Sequence, residues 1–145
     1  MSIKMGKRME EVAIYYDGNL STRAVRRAGS IEIVTDAPKE NGGRDEYFSP
    51  TDLVAIALGS CILTVMAIAA VRMQVNFVDS KVLVQKQMAS LPSWRIKRLK
   101  VHFSCPRKFD PEIIKHLEKA ANNCPVHHSL HPEIEQEITF LWGTA

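Results

Sequence analysis

Material for disulfide cross-links is scarce in this chain: its 145 residues include three cysteines, Cys61, Cys105 and Cys124, an odd number. An export signal is not expected either, since Met1 to Glu11 is charged and has no apolar stretch of signal length. A structural disulfide framework is therefore not expected, and a cytoplasmic protein with reduced thiols is. Any thiol that matters would matter through its reactivity. Neither sign of charge is in large excess: 19 Lys and Arg stand against 16 Asp and Glu, a net charge of +3. Basic residues gather only mildly, at Arg23, Arg26 and Arg27 and again at Arg95, Lys97, Arg98 and Lys100. No nucleic-acid-binding motif accompanies them, so a nucleic acid partner is not expected. Internal repeats and linker-like stretches are lacking too. With 46% hydrophobic and 24% charged residues, the composition is that of a globular protein. The expectation is one domain over residues 1–145 that buries its own core, with residues 1–10 a polar, frayed start.

What the chain does have is one long apolar run, Leu53 to Val71, without a charge or a proline. Ser49-Pro50-Thr51-Asp52 precedes it as a helix start. Ser49 can cap, Pro50 suits the first helical position, and Asp52 can reach back as the acidic half of a capping box. Arg72 follows, a cation at the negative end of the helix dipole. The spacing predicts a helix from about residue 50 to about residue 74, roughly 37 Å long. Its length would cross a bilayer. It is rich in Ala, Gly, Ser and Thr, however, and no second such run exists. The expectation is the central helix of a folded core, with no membrane partner.

Around this helix the pattern is mixed. Val12 to Tyr16, Ser21 to Arg27 and Ile31 to Val34 read as strands, with a turn at Asp17-Gly18-Asn19 and a loop over Pro38 to Arg44. Val75 to Met88 and Trp94 to Phe103 alternate apolar and polar residues, which predicts a long antiparallel hairpin with one wet, basic face. Asp110-Pro111-Glu112 starts a second helix, which Asn122-Asn123 ends, and Cys124-Pro125 opens a further short element. Glu137 to Trp142 is a closing strand. The fold class is α+β.

Cys61 lies near the middle of the apolar run. Alone, it reads more readily as a small buried hydrophobe than as a nucleophile. It is about three turns into the helix, beyond the reach of the dipole, so a thiolate there would need a cation from elsewhere. Arg23, Arg26, Arg27 and Arg44 are the candidates. Cys124 precedes a proline at a helix start, where free backbone N–H groups can stabilise thiolate; it can equally be a plain cap. His127, His128 and His131 follow closely and would permit a metal site with Cys124, but their spacing matches no recurrent zinc motif, and no metal is expected. Cys105 reads as structural.

Taken together, Ser49-Pro50-Thr51-Asp52-Leu53, Ala57-Leu58-Gly59-Ser60-Cys61, Asn123-Cys124-Pro125-Val126 and the closing Glu-Ile-Thr-Phe strand resemble the OsmC/Ohr family of osmotically induced and organic hydroperoxide resistance proteins. The order of elements also agrees, over about residues 11 to 142. The resemblance implies an OsmC-like fold, antiparallel sheets around a long central helix, in an intertwined homodimer. It implies a thiol peroxidase of organic hydroperoxides, without a cofactor, in which Cys61 attacks the peroxide and Cys124 resolves the sulfenic acid as a disulfide. An external dithiol or lipoyl-type reductant would restore the thiols. By the same resemblance Arg23 is the first choice for the activating cation. The hydroperoxide-resistance branch carries a glutamate ten residues before the reactive cysteine; this chain has Thr51 there, with Asp52 one step later and Glu46 in the loop as substitutes. The pattern is closer to the OsmC-like branch. On an ideal helix Leu58, Thr64 and Val65 neighbour Cys61 and, with Phe48, would wall an apolar substrate pocket. The alternatives are a non-catalytic OsmC-like protein binding a small apolar ligand, and a Cys/His metal-binding protein.

Overall fold

The apolar run is a helix in the computed structural model, α1 (Pro50–Arg72), and its start is the capping box that the sequence predicts. The Ser49 hydroxyl accepts the Asp52 N–H at 3.1 Å, and the Asp52 carboxylate accepts the Ser49 N–H at 3.0 Å. The structure describes residues 11–26 and 31–144; the expected frayed start and Arg27 lie outside them. The chain divides into two compact units, Met1–Leu53 and Val54–Ala145.

The first unit is a three-stranded antiparallel sheet in the order β1 (Val12–Gly18), β2 (Ser21–Arg26), β3 (Glu32–Asp36). Its first hairpin turns where expected, with Gly18, Asn19 and Leu20 all at positive φ. After β3 the loop folds back on Asp36. The Asp36 N–H donates to the Phe48 carbonyl at 3.2 Å, and its buried carboxylate accepts the Glu46 N–H at 3.1 Å. Arg44 stands 3.9 Å from the other oxygen of that carboxylate.

The second unit is built on a sheet of β4 (Lys81–Ala89), β5 (Arg95–Cys105) and β6 (Glu135–Trp142). Two further helices, α2 (Pro111–Asn122) and α3 (Pro125–Ser129), stand between β5 and β6. On α1, Leu58, Ile62, Met66 and Ala70 recur every fourth residue and are wholly buried, packed with Leu99, Val101 and Phe103 of β5. Each large apolar side chain so buried stabilises by about 1.5–3 kcal/mol. Gly59 lets the helix approach: a Cβ there would lie 2.9 Å from Val84 Cγ2 and 3.0 Å from Val82 Cγ2.

Two expectations change. The first strand of the hairpin begins at Lys81 rather than Val75. Burial does alternate from Val75, but Ser104 is already paired with Lys81, and past Cys105 stands Pro106, which has no N–H to extend the ladder. The segment turns instead, with Gln74 and Asp79 at positive φ and the Asn76 side chain accepting the Val78 N–H at 3.0 Å. The second sheet is also mixed rather than antiparallel, because β6 runs parallel to β5. The chain through α2 and α3 is long enough to carry it back to the starting end of β5, as a parallel pairing requires.

A two-thiol candidate site

Cys61 lies at the margin of the buried stripe of α1. Ile62 beside it is wholly buried, Ser60 and Thr64 are exposed, and Cys61 itself is half-buried. Cys124 is wholly buried and links two helices. Its N–H donates to the Ala121 carbonyl at the end of α2, at 3.3 Å, while it caps α3 ahead of Pro125. The following proline favours the extended conformation that the residue adopts, φ −62° and ψ 130°. Its sulfur accepts the His127 N–H at 3.5 Å.

The fold brings these two thiols close enough to interact: Cys61 favours the protonated form of Cys124. Burial, first, and then the polar interaction with Cys61 push the Cys124 thiol up to about 11, and negative charge on Cys61 acts in the same direction. The N–H groups of His127 and Val126 pull the other way and are outweighed. A helix start favouring thiolate at Cys124, one reading of the sequence, is therefore corrected. The N–H groups are present, but removing the sulfur from water costs the charged form more than they return. Cys124 is the thiol held protonated.

The histidines have other occupations. The Gln136 side-chain N–H donates to the His127 carbonyl at 3.1 Å, and its oxygen meets His127 Nδ1 at 2.5 Å. A carbonyl can only accept, so the carboxamide nitrogen must face it. The amide oxygen then faces the ring, and Nδ1 carries the proton. His131 Nδ1 accepts the Glu133 N–H at 3.1 Å. Among the described residues no three His, Cys, Asp or Glu side chains gather as a metal would need. Gln136 went unnoticed in the sequence, although a signal was there. It shares the inward register of β6 with Ile138 and Phe140, and a polar residue at such a position needs a partner.

The remaining predicted residues are placed as follows. Arg23, at the centre of β2, has its Nε 3.1 Å from Asp17, a second nitrogen 3.7 Å from Glu32, and its guanidinium carbon 4.8 Å above the Tyr15 ring. The bond to Asp17 and the charges of Asp17 and Glu32 raise its affinity for its proton above the ordinary arginine value. Asp52 is a helix cap, as described. Leu58 is core, wholly buried, whereas Val65 is half-buried and Phe48 exposed. Thr64 is exposed, its hydroxyl donating to the Ser60 carbonyl at 2.7 Å. Cys105 is buried in the core of the second unit.

Comparison with known proteins gives these similarities. The family of OsmC-like proteins matches residues 43–139. A crystal structure from Psychrobacter arcticus 273-4, of a protein described as an osmotic stress induced and detoxification response protein, is 35% identical with a TM-score of 0.86. The match covers 93% of this chain and 98% of that one. An OsmC-like protein from Mycoplasma pneumoniae shares the fold at 14% identity, TM-score 0.79, covering 94% of this chain and 99% of that one. So does an organic hydroperoxide resistance protein from Elizabethkingia anophelis, with crystallant-derived thiocyanate bound, at 19% identity, TM-score 0.73 and the same coverage. No curated protein sequence matches the chain.

Proposed function

The chain belongs to the family of OsmC-like proteins, and from that premise we propose that it is a thiol-dependent peroxidase of organic hydroperoxides. The observation that carries the proposal is that the fold sets a half-exposed Cys61 close enough to a buried Cys124 for the two thiols to interact. In the first step the Cys61 thiolate attacks the distal peroxide oxygen. The O–O bond breaks, an S–O bond forms, and the alkoxide leaves as alcohol after taking a proton. In the second step the Cys124 sulfur attacks the sulfenic sulfur of Cys61. The S–S bond forms as the S–O bond breaks, and the Cys124 proton leaves with the departing hydroxide as water. An external dithiol, such as a dihydrolipoyl group, then reduces the disulfide, attacking at Cys61 because that sulfur is the more accessible.

The asymmetry between the thiols suits this division of labour. Cys124 keeps its proton at neutral pH and does not compete for peroxide, yet it already stands near the atom that it must attack. By resemblance to the family, the cation that a Cys61 thiolate needs is assigned to Arg23, whose own partners in this chain are Asp17 and Glu32. A homodimer is part of the proposal. Val12, Ile14, Tyr16 and Ile33 of the first sheet and Ile56 and Val71 of α1 are large apolar residues left exposed in the single chain.

The test is mass spectrometry after one equivalent of cumene hydroperoxide on the reduced protein. A Cys61–Cys124 disulfide is the expected product, and Cys61→Ser is expected to abolish peroxide consumption while the protein stays folded. Intact thiols after peroxide, or unchanged turnover in Cys61→Ser, would end the proposal and favour the ligand-binding alternative.

A further inference from the structure

Resting on the peroxidase reading, we propose that Gln136 and His127 form a positioning pair that fixes Cys124 for its attack on oxidised Cys61. The short helix that Cys124 caps has five residues and buries none of them fully, so apolar packing alone does not hold it. Gln136 reaches it from β6, where its register partner on β5 is the wholly buried Leu99. It grips one residue at two points, the His127 carbonyl and the protonated Nδ1 of the His127 ring. The N–H of that same residue donates to the Cys124 sulfur. A strand of the sheet thus holds the peptide that aims the sulfur. The arrangement acts on Cys124 and has no contact with peroxide, so its effect falls on the second step.

That step can be read by competition. Sulfenic acid at Cys61 has two fates. Cys124 converts it to the disulfide with release of water, or a second hydroperoxide transfers an oxygen to it, giving sulfinic acid and an alcohol. The proportion of the two products reports how well Cys124 is placed, whatever the rate of the first oxidation. Misplacing a reacting atom by about 1 Å can cost on the order of 100-fold in rate.

The full-length reduced protein is treated with cumene hydroperoxide at increasing excess, without reductant, and disulfide and sulfinic acid at Cys61 are counted by mass spectrometry. Gln136→Leu and His127→Ala are each expected to shift the product ratio toward sulfinic acid by about tenfold or more. The double variant is expected to be no worse than Gln136→Leu alone, because Gln136→Leu already removes both contacts and His127→Ala only the one to the ring. Gln136→Glu keeps an acceptor facing Nδ1 but gives up the donor to the His127 carbonyl, and is expected to return part of the disulfide, a rescue that a space-filling role would not give. A folded Gln136→Leu or His127→Ala protein with the wild-type ratio would overturn the proposal, as would a Gln136→Glu protein as impaired as Gln136→Leu. If one variant does not fold, the other carries the test. Failure of the peroxidase reading would look different: the unaltered protein would form no Cys61–Cys124 disulfide at any excess of peroxide, and this proposal would fall with it.

Discussion

Cys61 lies close enough to Cys124 to help keep the proton on its sulfur, yet Cys61 is half-exposed and Cys124 has no exposed surface. The pair therefore has an outward member and an inward one, and the outward member lies on the longest helix of the fold.

Alkylation should separate the two. With the protein reduced and folded at pH 8, iodoacetamide is expected to label Cys61 first. Cys124 should react at least about tenfold more slowly, being buried and almost wholly protonated there. Peptide mass spectrometry over a time course gives the order. Equal labelling would mean that Cys124 is more accessible than its burial implies.

Alkaline stability gives a second reading of Cys124. The thiol moves from an ordinary value of 9.0 in the unfolded chain to about 11 when folded. Between those values the unfolded chain has released a proton that the folded chain keeps, so stability falls as pH rises through that window. Below it the contribution is fully present. Two pKa units correspond to at most about 2.7 kcal/mol. Urea unfolding of the reduced protein from pH 8 to pH 11 should show a steeper loss for the wild type than for Cys124→Ser. Parallel curves would remove the assignment.

Gly59 should resist the usual preference of helices for alanine. Propensity alone would favour Gly59→Ala by about 1 kcal/mol. The added Cβ would meet Val84 at 2.9 Å and Val82 at 3.0 Å, both side chains stiff at χ1. Overpacking should win, with a net loss of about 1–3 kcal/mol in chemical denaturation. Shaving the neighbour, in Gly59→Ala/Val84→Ala, should cost less than the sum of the two single changes. A stabilising Gly59→Ala would mean that α1 can move off the sheet at little cost.

The parts of this protein that depend on neighbours in the chain were written in its sequence. Ser49 and Asp52 cap a helix three residues apart, the uncharged run after them continues it, and proline after Cys124 restarts a helix. Each works through contacts within a turn or so, and the motifs built on them carried the family resemblance as well. Tertiary structure decided whatever joins residues far apart in the chain. Pro106, just past the end of β5, stops a ladder that the alternation of Val75 and Phe77, ahead of β4, would have extended. The parallel return of β6 seats Gln136 beside His127. Burial of Cys124, settled by where α2 and α3 lie, turns a position favourable to thiolate into one that keeps its proton. Local backbone groups act on a side chain wherever it ends up, but loss of water is a property of the packed interior, and for this sulfur the loss of water is the larger effect.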